Sequence, residues 1–200
     1  MTQPGSVPAR RVVIAEDEAL IRLDLREMLE EEGYRVVGEA GDGEAAVELV
    51  ERLSPDLVIL DVKMPGLDGI AAAELVARRR LAAVVMLTAF SQRDLVERAR
   101  EAGAMAYLVK PFQKKDLLPT IEMALSRFAE IVALEAEVGD LTERIEARKT
   151  IERAKSVLMT DHSMSEPEAF RWLQRTSMNR RLTMRALAEA VLTGQETLPA

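Results

Sequence analysis

The sequence predicts an α/β domain built on a parallel sheet, followed by a helical connector and a small three-helix domain. Three observations carry that prediction. Short β-rich runs alternate five times with helix-period segments between Arg11 and Val109. After Pro111 the alternation stops, and an almost unbroken helical pattern runs from about Lys115 to Met159. Charge divides in the same way. Residues 1–143 hold 17 basic and 27 acidic side chains, a balance of −10, whereas residues 144–185 hold 10 basic and 5 acidic, a balance of +5. An acidic front and a basic back in one 200-residue chain imply two units with different work.

The strands are expected at "RVVIA" (11–15), "YRVVGEA" (34–40), "DLVIL" (56–60), "AVVML" (83–87) and "AMAYLV" (104–109). The first helix carries Ile21, Leu25, Met28 and Leu29 on one face and stops at Gly33, and others cover roughly 43–53, 68–80 and 92–102. Right-handed crossovers between parallel strands then bring every strand's C-terminal end to one edge, where open α/β sheets bind ligands.

In the long helix, Ile131, Leu134, Val138, Leu141 and Ile145 step by 3, 4, 3 and 4. That is the spacing of a coiled-coil seam, or of a helix packed on its own domain. At ~100° per residue, Ala147, Ile151, Ala154 and Leu158 fall on nearly the opposite side, so the helix changes partners at 145–147. The next helix starts in "SEPEAFRWLQRTS", where Ser165 and Glu168 have the capping-box spacing. The last, "TMRALAEAVL", stripes Met184, Leu187, Ala188, Val191 and Leu192 on one side. The expected boundaries are 10–128 for the α/β domain, 129–146 for the connector and 147–195 for the three-helix domain.

Composition excludes several chemistries. With no cysteine there is no disulfide, thiol nucleophile or cysteine-held zinc, which is compatible with a reducing cytoplasm. A single histidine, His162, argues by number against a His-rich metal site or a serine-type triad. The opening "MTQPGSVPAR" has no apolar core of a secretory signal, and no apolar run approaches the ~20 residues of a membrane helix. The expected location is the cytoplasm, without membrane attachment.

The strand ends carry the chemistry. The first strand leads into Glu16 and Asp17, the third into Asp61, the fourth into Thr88 and the fifth into Lys110. Alone, each has an ordinary explanation as a cap, turn residue or surface charge. Together they put three carboxylates, a hydroxyl and an ammonium on one edge. Oxygen-only ligands suit Mg²⁺, which binds through one or two carboxylates plus phosphate oxygens. An ionised Asp61 beside such a cation can act as a nucleophile toward phosphorus, with Thr88 and Lys110 on the phosphoryl oxygens.

On "AEDE", "LVILDVKMPGLDG", "LTA" and "YLVKP", residues 10–128 resemble the receiver domain of two-component response regulators. The resemblance implies a flavodoxin-like sheet in the order 2-1-3-4-5 and phosphorylation of Asp61 by a sensor histidine kinase. It implies a Mg²⁺ site of Glu16, Asp17, Asp61 and the carbonyl of Lys63, with Thr88 and Lys110 as phosphate contacts. It also implies a cis Lys110–Pro111 bond and a switch role for Tyr107 coupled to Thr88; an ordinary packed aromatic is the other reading of Tyr107.

The stretch "IERAKSVLM…SEPEAFRWLQRTSMNRRLTMRALAEAVL" resembles the ANTAR domain, a three-helix RNA-binding module of antitermination regulators. Ser156 and Ser177 stand where that pattern has glycine and alanine, and the turn "DHSMS" lacks the usual glycine. Independently, Arg144, Arg148 and Lys155 align within about 40° on the long helix. Arg171 and Arg175 form an i, i+4 pair, and Arg180, Arg181 and Arg185 surround the next turn. Such a face suits phosphates, or is a solvated surface balanced by Glu146, Glu152 and Glu168. Trp172 is a stacking group or a core residue, His162 a turn residue, and Met159, Met164 and Met178 read as packing.

Taken together, these features predict a response regulator, not an enzyme, whose phosphorylation controls binding of RNA hairpins for transcription antitermination, with possible homodimer formation on phosphorylation. The alternative is a phosphorylation-switched protein-binding adaptor without RNA. A Mg²⁺-dependent phosphohydrolase is disfavoured because Lys63, not an acid, stands two residues after Asp61.

Overall fold

Five runs rich in Val, Ile and Leu become strands in the computed structural model, which describes residues 9–89 and 93–195. They are β1 (Arg11–Ala15), β2 (Arg35–Ala40), β3 (Leu57–Asp61), β4 (Ala83–Ala89) and β5 (Ala106–Lys110). All pair in parallel, in the order β2-β1-β3-β4-β5. Helices α1 (Ala19–Glu31), α2 (Gly43–Leu53), α3 (Gly69–Arg78) and α4 (Arg93–Glu101) separate them. The start of the helix expected from 92 lies outside the described residues.

Alternation of side chains along the strands divides the core between the two sheet faces. Val13, Val58, Leu60, Val84 and Met86 pack with Ala46 and Val50 of α2 and with Ala72 and Val76 of α3. On the other face, Val12, Ile14, Leu57, Ile59, Val85 and Leu87 meet Leu25 and Leu29 of α1. Leu117, Ile121 and Ala124 complete that face from α5 (Lys114–Asp161), a helix of 48 residues. Pro119 interrupts neither the helix nor its buried stripe. It sits in the second turn, where the donor it lacks leaves the exposed Lys115 carbonyl to water.

Every strand but β1 differs from expectation at its ends: β3 runs from Leu57 to Asp61 rather than over 56–60, and β5 begins at Ala106 rather than at 104. β4 continues through Thr88 to Ala89 and β5 through Lys110, because the ladder pairs Thr88 with Val109 and Ala89 with Lys110. β2 begins at Arg35, not Tyr34. The Tyr34 hydroxyl donates to Glu122 of α5, 2.7 Å away, and a register shift falls between Val12 and Val13 on β1.

The chain divides into two units between Ala133 and Leu134. Ile131, the first position of the expected seam, packs against the core of the first unit. In the second unit, α6 (Glu166–Arg180) and α7 (Met184–Leu192) join the last turns of α5. Ala154, Leu158, Ala169, Leu173, Leu187, Ala188 and Val191 form its buried core. The Glu168 carboxylate accepts from the backbone N–H and the hydroxyl of Ser165, and Thr183 caps α7 by accepting from Ala186. In the glycine-free turn, Ser163 takes the left-handed conformation at φ +50°. Ser177 is buried where its hydroxyl donates to the Gln174 carbonyl at 2.9 Å, and Ser156 faces solvent.

Candidate functional site

The parallel register brings the C-terminal ends of β1, β3, β4 and β5 to one edge, so the residues leaving those ends converge. Glu16 follows β1 and is fully buried. Its carbonyl accepts from the Arg22 guanidinium, and one carboxylate oxygen accepts from the Glu18 backbone N–H. The other, Oε2, lies 2.5 Å from Nζ of Lys110. Nζ of Lys110 also stands 3.0 Å from Oδ2 of Asp61, at the end of β3. Carboxylate oxygens of Glu16, Asp17 and Asp61 all lie within 4.8 Å of one another.

Electrostatics follow from this crowding. Burial, helped by repulsion from Asp61, holds the Glu16 carboxyl above its usual range despite the opposing pull of Lys110. Burial pulls the Lys110 ammonium down, but Glu16 and Asp61 outweigh it and leave it above the usual lysine range. Three carboxylates share one ammonium. The remaining charge and the all-oxygen donor set fit a hard divalent cation. A cavity of about 220 Å³ opens beside them, lined by Asp17, Asp61, Lys63, Thr88 and Lys110. Thr88 is buried, and its hydroxyl donates to the Ala89 carbonyl at 3.4 Å. The Lys110–Pro111 bond is cis. Tyr107 is 51% exposed and lines a different cleft, of about 420 Å³, with Met105, Met123 and Arg127.

Two supporting residues had no role assigned from sequence. One is Arg22, which holds the Glu16 backbone and pairs with Glu39 at 3.5 Å. The other is Gly69, whose N–H donates to Val62 as α3 begins. A Cβ at Gly69 would stand 1.8 Å from the Asp61 carbonyl oxygen. The sequence signal was Asp68, which caps α3 through Ala71 and places Gly69 at the first helical position.

The basic residues of the second unit are dispersed. Arg144 and Arg148 are exposed on α5, Arg171 and Arg175 on α6, and Arg180 and Arg181 at its end. Arg185 is half-buried and paired with Glu189 at 2.9 Å and Glu143 at 3.4 Å. Lys155 departs from the expected phosphate-facing position. It is buried between α5 and α6, 3.0 Å from Glu152 and 2.7 Å from Glu166, because its stem follows the apolar face that packs Ala154 and Leu158. Met164 packs on the core as expected, while Met178 does not: it is 71% exposed. His162 lies in the turn after α5.

Comparison with known proteins is consistent across the chain. Residues 12–122 match the response regulator receiver domain family, and residues 139–192 match the ANTAR domain family. The transcriptional regulatory protein PdtaR of Mycobacterium tuberculosis is 65% identical over 191 residues, 96% of this chain and 93% of that protein. The chemotaxis protein CheY of Bacillus subtilis is 38% identical over 119 residues, 59% of this chain and 99% of that one. Among solved structures, the signal receiver domain of a modulated diguanylate cyclase from Desulfovibrio desulfuricans superposes with a TM-score of 0.57 at 32% identity, covering 60% of this chain and 97% of that one.

Proposed function

Because this chain belongs to the response regulators that join a receiver domain to an ANTAR domain, we propose that phosphorylation of Asp61 switches its binding to RNA. The observation that carries the reading is the convergence of Asp61, Thr88 and Lys110 on one small cavity beside a three-carboxylate cluster. In this reading an Asp61 carboxylate oxygen attacks the phosphorus of a phosphohistidine on a sensor kinase. The new P–O bond forms as the P–N bond breaks, and the departing imidazole takes up a proton. Glu16, Asp17, Asp61 and the Lys63 carbonyl would hold Mg²⁺, which supplies charge neutralisation for the phosphoryl oxygens. Lys110 already stands beside Asp61 and binds one phosphoryl oxygen, and the Thr88 hydroxyl turns to another.

The switch then works because one of two arrangements binds the phosphoryl group better. Thr88 turns inward and the exposed Tyr107 follows it. On α5, Leu134, Val138, Leu141 and Ile145 form an exposed stripe, 51–61% accessible, at steps of 4, 3 and 4. A second copy of this helix covers that stripe in the phosphorylated dimer, and the paired ANTAR units hold paired RNA hairpins against a terminator. Arg144, Arg148, Arg171, Arg175, Arg180, Arg181 and Arg185 are the phosphate contacts in this reading; buried Lys155 is not among them. No helix among the described residues is long and apolar enough to cross a membrane, and the proposed setting is the cytoplasm.

Binding to tandem-hairpin RNA, with duplex DNA as control, tests the reading across several salt concentrations. The expected result is preference for RNA with an affinity that falls steeply with salt, since each phosphate contact releases counterions. Absence of RNA binding, with a salt-insensitive protein partner instead, would make the chain an adaptor.

A further inference from the structure

We propose that the cleft between the turn after α5 and the outer face of α6 seats one unpaired RNA base, stacked on Trp172, with the adjoining phosphates on Arg171 and Arg175. The proposal rests on the RNA-binding reading above and names where in the unit a base is read. The cleft encloses about 860 Å³ and lies wholly within the second unit. Glu168, Arg171, Trp172 and Arg175 line it from one stripe of α6, with His162 facing them from the turn and Met178 at its far end.

Each of these side chains is committed or left open in a way that favours such a guest. Trp172 packs one part of its ring on the core and still lines the cleft. Its orientation is therefore set before any ligand arrives. Met178, 71% exposed, offers a polarisable apolar wall that has no packing duty. Glu168 is the one acid of the lining, and its carboxylate is drawn into the cap by Ser165 at 2.9 and 2.5 Å. Arg175 makes no hydrogen bond or ion pair among the described residues, and Arg171 commits only Nε, to the Pro167 carbonyl. The cleft thus combines a fixed aromatic surface with positive charge.

A nucleobase beside its phosphate has the matching shape, a flat π-face next to an anion. In a duplex that face is covered by the neighbouring pairs, so only an unpaired base can use the site. An acidic peptide would satisfy the arginines and leave the aromatic surface without a flat partner.

Trp172 is the only tryptophan of the chain, so its emission reports on this cleft and on the core beneath it. The full chain is titrated with a labelled RNA hairpin carrying an unpaired loop, and with a fully paired RNA duplex of equal length. Both titrations are run with and without Mg²⁺ and beryllofluoride, following RNA anisotropy and tryptophan emission together. The loop RNA is expected to quench Trp172 and the duplex is not. Trp172→Leu, which keeps apolar packing, is expected to lower affinity about tenfold to a hundredfold. Arg175→Ala is expected to reduce the salt slope by about 0.7, the share of one single-strand phosphate contact, and remains informative if Trp172→Leu does not fold. Loop RNA that binds by anisotropy, leaves the emission unchanged and tolerates Arg175→Ala would overturn the cleft and leave RNA binding intact. No RNA binding in either state would remove both. Quenching by polyglutamate but not by RNA would make the cleft a protein dock and equally overturn the proposal.

Discussion

Every group of the acid site stands at the C-terminal end of a sheet strand, whereas the basic groups of the second unit stand on the outside of helices. Asp61 follows four fully buried residues, Leu57, Val58, Ile59 and Leu60, and cannot shift without moving the sheet. Arg144, Arg148 and Arg175 sit on exposed helical turns. The acid site is therefore a fixed set of single-copy parts, and the basic surface a set of partly interchangeable ones. Chemistry at one atom needs the first arrangement, and attraction to a polyanion tolerates the second.

Substitutions in each region test that contrast. Asp61→Ala is expected to abolish phosphoryl uptake from acetyl phosphate, read from the intact mass. Removing any single arginine of the second unit should weaken RNA binding by no more than about tenfold. A complete loss of RNA binding on removing one arginine would show that the basic surface is as fixed as the acid site.

Leu158→Ala cuts the small core of the second unit, and its expected cost is about 2–5 kcal/mol. Urea unfolding followed by Trp172 emission should show it, with phosphorylation of Asp61 unchanged. Gly69→Ala does the reverse. Its methyl group would meet the Asp61 carbonyl, so about 3 kcal/mol of receiver stability should be lost together with phosphorylation, while Trp172 reports a normal second unit.

Tyr34→Phe has the smallest expected effect, on the order of 1 kcal/mol at neutral pH. Burial, then the hydrogen bond to Glu122, pushes the Tyr34 hydroxyl from 10.0 up to about 12. A folded value above the unfolded one means this contribution is complete below pH 10 and is lost as pH rises toward 12. The difference in urea midpoint between wild type and Tyr34→Phe, followed by circular dichroism, should vanish over that window.

The same contrast explains what the sequence made legible. β-rich runs, caps and strand-end acids are local signals, and parallel register turns them into one site without further information. Glu16, Asp61, Thr88 and Lys110 came together for that reason. Lys155 was misplaced because helical pitch gives an azimuth and not a partner, and α6 supplies Glu166 only after the second unit folds. Ile131 matched the heptad step but faces the receiver core, since the seam and the packed face of α5 overlap there. Met178 has the apolar character of a core residue and an exposed address. Gly69 is needed for the close approach of its backbone to that of Asp61, and Arg22 reaches the Glu16 backbone carbonyl; apart from the Asp68 cap, neither contact leaves a mark on side-chain patterns.

Phosphorylation of Asp61 is expected to act on RNA binding by the second unit, and one comparison reads that coupling. RNA affinity of the full chain is measured with Mg²⁺ alone and with Mg²⁺ plus beryllofluoride, which stands in for the phosphoryl group on Asp61, in wild type and in Asp61→Ala. Tighter RNA binding with beryllofluoride is expected in the wild type only. Equal affinity under both conditions in the wild type would contradict it.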